Sequence, residues 1–558
     1  MPKRKKKTGL PRRVSADSVT SSDYSQGISE IPDLNTTELI ARLTKIGSAL
    51  SAEKNIDRLL EMIVDEAKKL TNANGGTLYV TSEDEMALNF AIVQNDKLQI
   101  RMGGTGKKIN WPPVPLKNPD ASPNYTNVSA YSALTGNVVN IDDVYHATGF
   151  NFEGTRRFDE QTGYRSTSML VVPLKNHDND MIGVLQLLNA QVPATGEIRA
   201  FTQQEQQITE SLASQAAVAL SNKILIQSLE ELLDSFIRTI ATAIDEKSPY
   251  TGGHVRRVAD LTLTIADRIN AVREGPFAEC FFSTEQLSEL RIAAWLHDVG
   301  KITTPEHIVN KSTKLETIVD RIELIKTRME IMKRDREIAA LKRTLTRFQA
   351  KGTDPLPTQE DPTGSPYDDL FQFIEKINLG VDEINNGMLD RLRAVSEWQW
   401  QDKDGLKPLL TENEIYNLSI RRGTLTDEER ATVESHAAIT RGMLSKLPFP
   451  KKFKNVPFLA ASHHERLDGT GYPQGLTEDQ LPLQARILAL ADIFEALTAT
   501  DRPYKQGNTL NDAIRIMALM VENHHIDADL FHLFLQQKIH LDYAGRELSD
   551  WQREKPGV

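Results

Sequence analysis

From Phe201 to about Lys247 the chain keeps one face apolar at alternating spacings of four and three. The positions are Ile208, Leu212, Gln215, Ala219, Asn222, Ile226, Leu229, Leu233, Phe236, Ile240 and Ala243. Residues so spaced fall on one stripe of an α-helix, and a stripe held for more than four heptads is the seam of a coiled coil. One long helix is therefore predicted over 201–247, with Gln215 and Asn222 as polar seam positions of the kind that set register and oligomer state. A parallel homodimer through 201–247 is the natural use of such a seam; packing on its own chain is the alternative. The helix separates two regions, and at 558 residues the chain is too long for one ordinary core.

Ahead of the helix, residues 1–35 are Ser/Thr/Pro-rich, lack periodicity and begin with the basic run Lys3-Arg4-Lys5-Lys6-Lys7. No apolar stretch follows that run, so it does not read as a secretory signal. A disordered basic tail is predicted, with contact to RNA or anionic lipid as a minority reading. From Thr36 the pattern turns helical: Leu39, Ile40, Leu43, Ile46 and Leu50, then Leu59, Leu60, Ile63, Val64, Ala67 and Leu70. Short β-like runs follow at 76–80, 88–93, 169–174 and 182–188. Together they predict an α+β domain over 36–200, an antiparallel sheet flanked by helices.

Beyond the helix, 248–558 reads as almost entirely helical, with helices over Val255–Ala271, Ser283–Leu296, Asp427–Leu447, Asn455–Ser462, Leu483–Thr498 and Leu510–Val521. An insertion, 316–422, interrupts them. It opens as a charged helix (Ile318, Ile322, Ile325, Met329, Met332, Ile338, Leu341, Leu345), crosses a Pro/Gly/Asp linker and is expected to end in further helices bearing Trp398 and Trp400. Its basic early part (Lys333, Arg334, Arg336, Lys342, Arg343, Arg347) reads first as a solvated face and second as a partner surface.

The net charge of −11 argues against broad coating of nucleic acid, and no specific nucleic-acid partner is expected. The single cysteine, Cys280, precludes an intramolecular disulfide and fits a reducing cytoplasm. No run of about 18 apolar residues exists, so no transmembrane segment is expected.

The chemistry lies in the helical region. His297-Asp298 ends an apolar helix and offers one nitrogen and one carboxylate able to bridge two cations, and Lys301 follows one turn later, placing a positive charge where a phosphate would sit. His254, His436, His463, His464 and Asp492 complete a set of five histidines and two aspartates. That exceeds what one metal needs and suits two octahedral ions such as Fe or Mn better than one tetrahedral Zn. Two such ions clamp a phosphoryl group during in-line displacement, which points to metal-assisted phosphoester hydrolysis. His146, His177, His524, His525, His532 and His540 lack such partners and read as structural or exposed.

Two families resemble these regions. Gly76-Thr77-Leu78-Tyr79-Val80, Asn140 to Tyr145, Tyr164 to Leu174 and Ile182 to Leu187 resemble a GAF domain spanning roughly 36–222. Within it, Arg157 to Arg165 is similar to the Phe-Asp-Glu segment of cyclic-nucleotide-binding GAF domains. This implies a small-molecule sensor, for a cyclic nucleotide, with Phe158, Asp159 and Glu160 at the ligand; a domain that only mediates dimerisation is the alternative.

The second resemblance is to HD-GYP phosphodiesterases. It rests on His297-Asp298, Lys301, His463-His464-Glu465, Gly469-Thr470-Gly471-Tyr472-Pro473, Thr251 to Val258, Asn310-Lys311 and Asp492 to Lys505. It implies hydrolysis of cyclic di-GMP to pGpG and, with a third ion, on to GMP. His254, His297, Asp298, His436, His463, His464 and Asp492 would be metal ligands. Asp298 and Lys301 would be catalytic, Lys301 touching the scissile phosphate. Arg502 and Lys505 would bind substrate phosphate. Gly469, Gly471, Tyr472 and Pro473 would line the guanine side or dock signalling partners. Some members hold a third ion with a glutamate four residues before the first histidine; that position is Tyr250, so two ions are expected. The insertion also departs from the family and would be a lid or docking arm. A signalling scaffold, or a hydrolase of another cyclic dinucleotide, are the alternative functions.

Overall fold

The computed structural model describes residues 36–246, 253–351, 366–500 and 507–553. The tail 1–35, Tyr250, Arg502 and Lys505 lie outside the described residues. Two compact units divide at Leu229/Glu230.

In unit one, helices α1 (Thr36–Ala52) and α2 (Ile56–Thr71) precede the strands β1 (Ala73–Thr81), β2 (Ala87–Asn95), β3 (Ile100–Gly103) and β4 (Val114–Pro115). Then come α3 (Val128–Thr135), β5 (Val139–Ile141), α4 (Glu153–Thr162), β6 (Met169–Lys175), β7 (Met181–Gln191) and β8 (Ile198–Arg199). The antiparallel sheet runs β3-β2-β1-β7-β6-β5, with β4 on β2 and β8 on β7. Successive residues of a strand face opposite sides. Leu170 and Val172 thus join Leu78, Leu185 and Leu187 against α1 and α2, while Met169 and Val171 join Tyr79 and Val184 against α3 and the segment from Val144 to Phe152. Covering both faces is why these strands read as unbroken apolar runs rather than alternating ones.

The predicted long helix is α5 (Gln203–Asp245). Its seam divides in use. Leu212 and Ala219 are buried with Ala216 and Leu220 in the core under α1 and α2, whereas Ile226, Leu229, Leu233, Phe236 and Ile240 are exposed.

Unit two contains α6 (His254–Ala271), α7 (Thr284–Leu296), α8 (Glu306–Val309), α9 (Ile322–Lys351), α10 (Pro366–Asn378), α11 (Asn386–Ser396), β9 (Gln399–Asp402), β10 (Gly405–Pro408) and α12 (Glu412–Leu418). It continues with α13 (Asp427–Leu444), α14 (Val456–Ala461), α15 (Leu483–Thr498), α16 (Leu510–Glu522), α17 (Ala528–Gln536) and α18 (Ile539–Glu547). Helices α6, α7 and α15 to α18 share one core around Ile265, Leu290, Leu488, Phe494 and Phe534. The insertion builds a core from Ile325, Met329, Ile374, Leu392, Leu409 and Leu418, joined by Leu315 just ahead of it. Here one expectation is corrected: neither tryptophan is on a helix, since Trp398 lies between α11 and β9 and Trp400 lies on a strand of the β9–β10 hairpin. Trp398-Gln399-Trp400-Gln401 alternates apolar and polar, and Lys403-Asp404 before Gly405, at a φ of 127°, supplies the two-residue turn.

Candidate metal centre

The seven proposed ligands come from five places in the sequence. His254 opens α6; His297 and Asp298 follow α7, whose start is set by a Ser283–Gln286 capping box; His436 lies within α13; His463 and His464 follow α14; Asp492 lies within α15. The fold brings all of them together, and all but the half-buried His464 are buried.

The Asp298 carboxylate is the hub. Its Oδ2 lies 3.5 Å from His254 Nε2 and 3.3 Å from His297 Nε2. Asp492 Oδ1 sits on the same side, 3.4 Å from His254 Nε2 and 3.8 Å from His297 Nε2. The other oxygen, Oδ1, lies 3.3 Å from His436 Nε2 and 3.8 Å from His463 Nε2. Donor atoms of His254, His297 and Asp492 converge within 4.8 Å of one another, as do those of His436, His463 and His464. Two clusters therefore flank one bridging carboxylate.

The histidine rings are fixed through Nδ1. The Nδ1 atoms of His297, His436 and His463 each meet the carbonyl three residues earlier, Ala294 at 2.7 Å, Val433 at 2.5 Å and Ala460 at 2.6 Å. A carbonyl only accepts, so each Nδ1 carries the hydrogen and each Nε2 is turned to the centre. His254 Nδ1 pairs instead with Glu495, which also accepts from Arg257 Nε at 2.6 Å. Among the described residues, His297 Nε2 and Asp298 Oδ1 are buried without a hydrogen-bond partner. Orphaned, converging donor atoms of this kind fit divalent cations.

The electrostatics differ across the bridge. Burial opposes charge on His254, but Glu495, Asp298 and Asp492 outweigh it and raise its pKa well above the ordinary value. His297 is raised likewise, Asp298 overcoming burial. Burial also opposes charge on Asp298, yet Lys301, His297 and His254 hold it well below the carboxylate range; Asp492 is lowered by His254 and His297. Across the bridge, burial and the neighbouring His464 and His297 depress His463, and burial lowers His464 to about 4. Lys301 Nζ donates to Asp298 Oδ2 at 2.5 Å at the edge of the site.

The loop after His464 lies against the cluster. Tyr472 stacks on His464 with ring centroids 4.8 Å apart, and Tyr472-Pro473 is cis. Gly469 has a φ of 76°, and a Cβ on Gly471 would meet Arg466 N at 2.4 Å, so both positions require glycine. Glu465 ties the loop down, accepting from Gln474 N at 2.7 Å and Leu476 N at 2.9 Å. Thr440 links α13 to the His-Asp turn, donating to the His297 carbonyl and accepting from Gly300 N, both at 3.0 Å. Roles for Glu495, Arg257 and Thr440 had not been read from the sequence. Glu495 had a signal: it is the second carboxylate, one turn after Asp492, in the apolar stretch Ile487 to Leu497.

In unit one, Asp159 is spent internally. It accepts from Tyr145 Oη at 3.0 Å, Ser166 N at 2.8 Å and Ser166 Oγ at 2.9 Å. Phe158 is half-buried edge-on to Trp111, and Glu160 is exposed. None of His146, His177, His524, His525, His532 and His540 enters a metal-type group among the described residues.

Comparison with known proteins agrees with these two regions. Residues 55–220 match the GAF domain family, and residues 251–359 and 412–530 match HD domain families. The chain thus carries a GAF-family region followed by two stretches matched by HD-domain families, the first of which runs into the segment 316–422. Over about a fifth of its length the chain is similar to cyclic dinucleotide phosphodiesterases. A 3'3'-cGAMP-specific phosphodiesterase of Vibrio cholerae is 43% identical over 111 residues, 20% of this chain and 23% of that protein. A cyclic di-GMP phosphodiesterase of Pseudomonas aeruginosa is 41% identical over 114 residues, 20% and 26%. One of Thermotoga maritima is 38% identical over 102 residues, 17% and 26%. The chain spans about a quarter of the length of these relatives. The GAF domain of an Acinetobacter phosphoenolpyruvate-protein phosphotransferase aligns at 11% identity over 34% of this chain and 98% of that one, with a TM-score of 0.24.

Proposed function

We propose that the HD domain, within 248–558, hydrolyses a phosphodiester bond of a cyclic dinucleotide, cyclic di-GMP first, to linear pGpG, and that the GAF domain regulates it. The observation that carries this is the pair of histidine-rich clusters sharing Asp298. His254, His297, Asp298 and Asp492 would hold one divalent ion and Asp298, His436, His463 and His464 another, Fe or Mn. Bound there, the ions supply an acidified water and Lewis-acid stabilisation of the phosphoryl group.

The protein's own groups do the rest. Lys301 keeps a positive charge beside Asp298, where the scissile phosphate would come to lie. Tyr472, fixed by its stacking on His464 and by the Glu465-anchored loop, offers a flat surface for a purine base. Arg502 and Lys505 are proposed to take the outer phosphate. Phe158 to Glu160 are proposed to approach a cyclic-nucleotide ligand, with Asp159 holding the segment in place. Regulation would pass through α5, whose exposed seam is proposed to pair with a second copy. The chain is proposed to act in the cytoplasm, a reading supported by its single cysteine, which fits a reducing compartment.

The second reading is another cyclic dinucleotide, because relatives include enzymes named for 3'3'-cGAMP as well as for cyclic di-GMP. Metal analysis of the purified protein, with product identification from both substrates, tests both readings. Two ions per chain and pGpG from cyclic di-GMP are expected. Faster turnover of the mixed dinucleotide would overturn the substrate, and no turnover of either with a full metal complement would leave a signalling scaffold.

A further inference from the structure

Helix α9 belongs to no part of the metal centre and shows two faces. Ile322, Ile325 and Met329 are buried in the insertion's core, with Met332 packed beside them. At roughly 100° per residue, Leu324, Ile331, Ile338 and Leu345 fall on the opposite side, each seven residues after the last. Leu341 and Phe348 occupy the intervening seam positions, three residues after Ile338 and Leu345. Leu324, Ile338, Leu341, Leu345 and Phe348 are exposed, Leu341 by 63% and Leu345 by 58%. A strict seven-residue repeat pointing away from the helix's own core is the surface of a coiled coil lacking its second strand.

Charge selects the occupant. From Ile322 to Lys351 the helix carries nine Lys/Arg against four Asp/Glu, on a chain whose net charge is −11. Among the described residues Arg334, Arg336, Lys342 and Arg347 make no ion pair, and Arg334 stands in the stripe itself, one heptad before Leu341. Two copies of α9 would set one cationic helix against another, whereas a partner with carboxylates opposite Arg334 and Lys342 would neutralise them. A lipid surface fits less well. The apolar stripe is only a seam wide, an arginine interrupts it, and Glu337 borders it.

We propose that α9 is a docking arm for an acidic amphipathic helix of another protein, received along Leu324, Ile331, Ile338, Leu341, Leu345 and Phe348, with Arg334 as the charge that selects it.

The test uses the full-length chain and a synthetic four-heptad peptide with Leu at both seam positions and Glu on its flanks, beside the same peptide with Lys flanks. The Glu peptide is expected to bind at micromolar Kd, with the Lys peptide, the L341E/L345E double variant and Arg334→Glu each weakening binding about tenfold or more. All altered residues are exposed, so circular dichroism and metal content should match the unaltered chain. Equal binding of both peptides, or of neither, overturns the proposal. So does sedimentation in which L341E/L345E abolishes self-association while the Glu peptide has no effect, because the occupant is then a second copy. Vesicles of phosphatidylserine and phosphatidylcholine that retain the unaltered chain but not the double variant, again without peptide binding, overturn it in favour of a lipid surface.

Discussion

Asp298 and Lys301 are three residues apart and in contact, yet their loss should read differently. Asp298→Ala removes the carboxylate common to both clusters, so metal content and activity should fall together in elemental analysis and turnover assays. Lys301→Ala should leave metal content intact and lower turnover by about ten- to a hundredfold, because the lost charge acts mainly where phosphoryl charge develops. An unchanged rate would remove Lys301 from the mechanism. Glu495→Gln keeps the shape but weakens the hold on His254 Nδ1; metal affinity should drop about tenfold or more by competition with a chromogenic chelator. Protons matter too. His254 and His297 hold theirs above the ordinary histidine pKa because buried carboxylates face them. Their charged forms support the metal-free fold below pH about 6.5, and that support is lost as pH rises through their higher folded values. A metal ion must displace those protons, so affinity should keep rising with pH above neutrality. A plateau reached near pH 6.5 would contradict the raised values.

Among the elements, the long helix shows what periodicity can and cannot say. The repeat predicted α5 with its length nearly right, because spacing alone places apolar residues on one stripe. It could not say what the stripe touches. Leu212 and Ala219 serve the GAF core, while the stripe from Ile226 to Ile240 is left exposed. Leu229→Glu with Phe236→Glu should convert a dimer to a monomer in sedimentation velocity without unfolding the GAF domain, whose core uses neither residue. The β9–β10 hairpin was missed for a related reason. Trp398 and Trp400 beside predicted helices read as helical until the turn at Lys403-Asp404-Gly405 is weighed, which puts Trp400 on β9 and Trp398 just ahead of it.

For the whole molecule, separate cores mean separable responses. An ion bound at the centre stabilises only the fold that contains it. Chelation should therefore lower the melting transition of the HD domain by several degrees and leave that of the GAF domain in place; a shift of both would show that the two domains unfold as one. The sequence alone determined the division into an α+β domain, a long helix and a helical domain with an insertion, because each leaves a distinct hydrophobic period. It also picked out His254, His297, Asp298, His436, His463, His464 and Asp492 as proposed ligands, because five imidazoles and two carboxylates exceed what one metal needs. Only the tertiary structure decided that Asp298 stands between two clusters, that Glu495 rather than a carbonyl holds His254, that Asp159 is spent inside the GAF domain, and that α9 turns one apolar stripe inward and another to solvent. Those outcomes depend on which faces meet across hundreds of residues. Periodicity within one element carries no record of its neighbours.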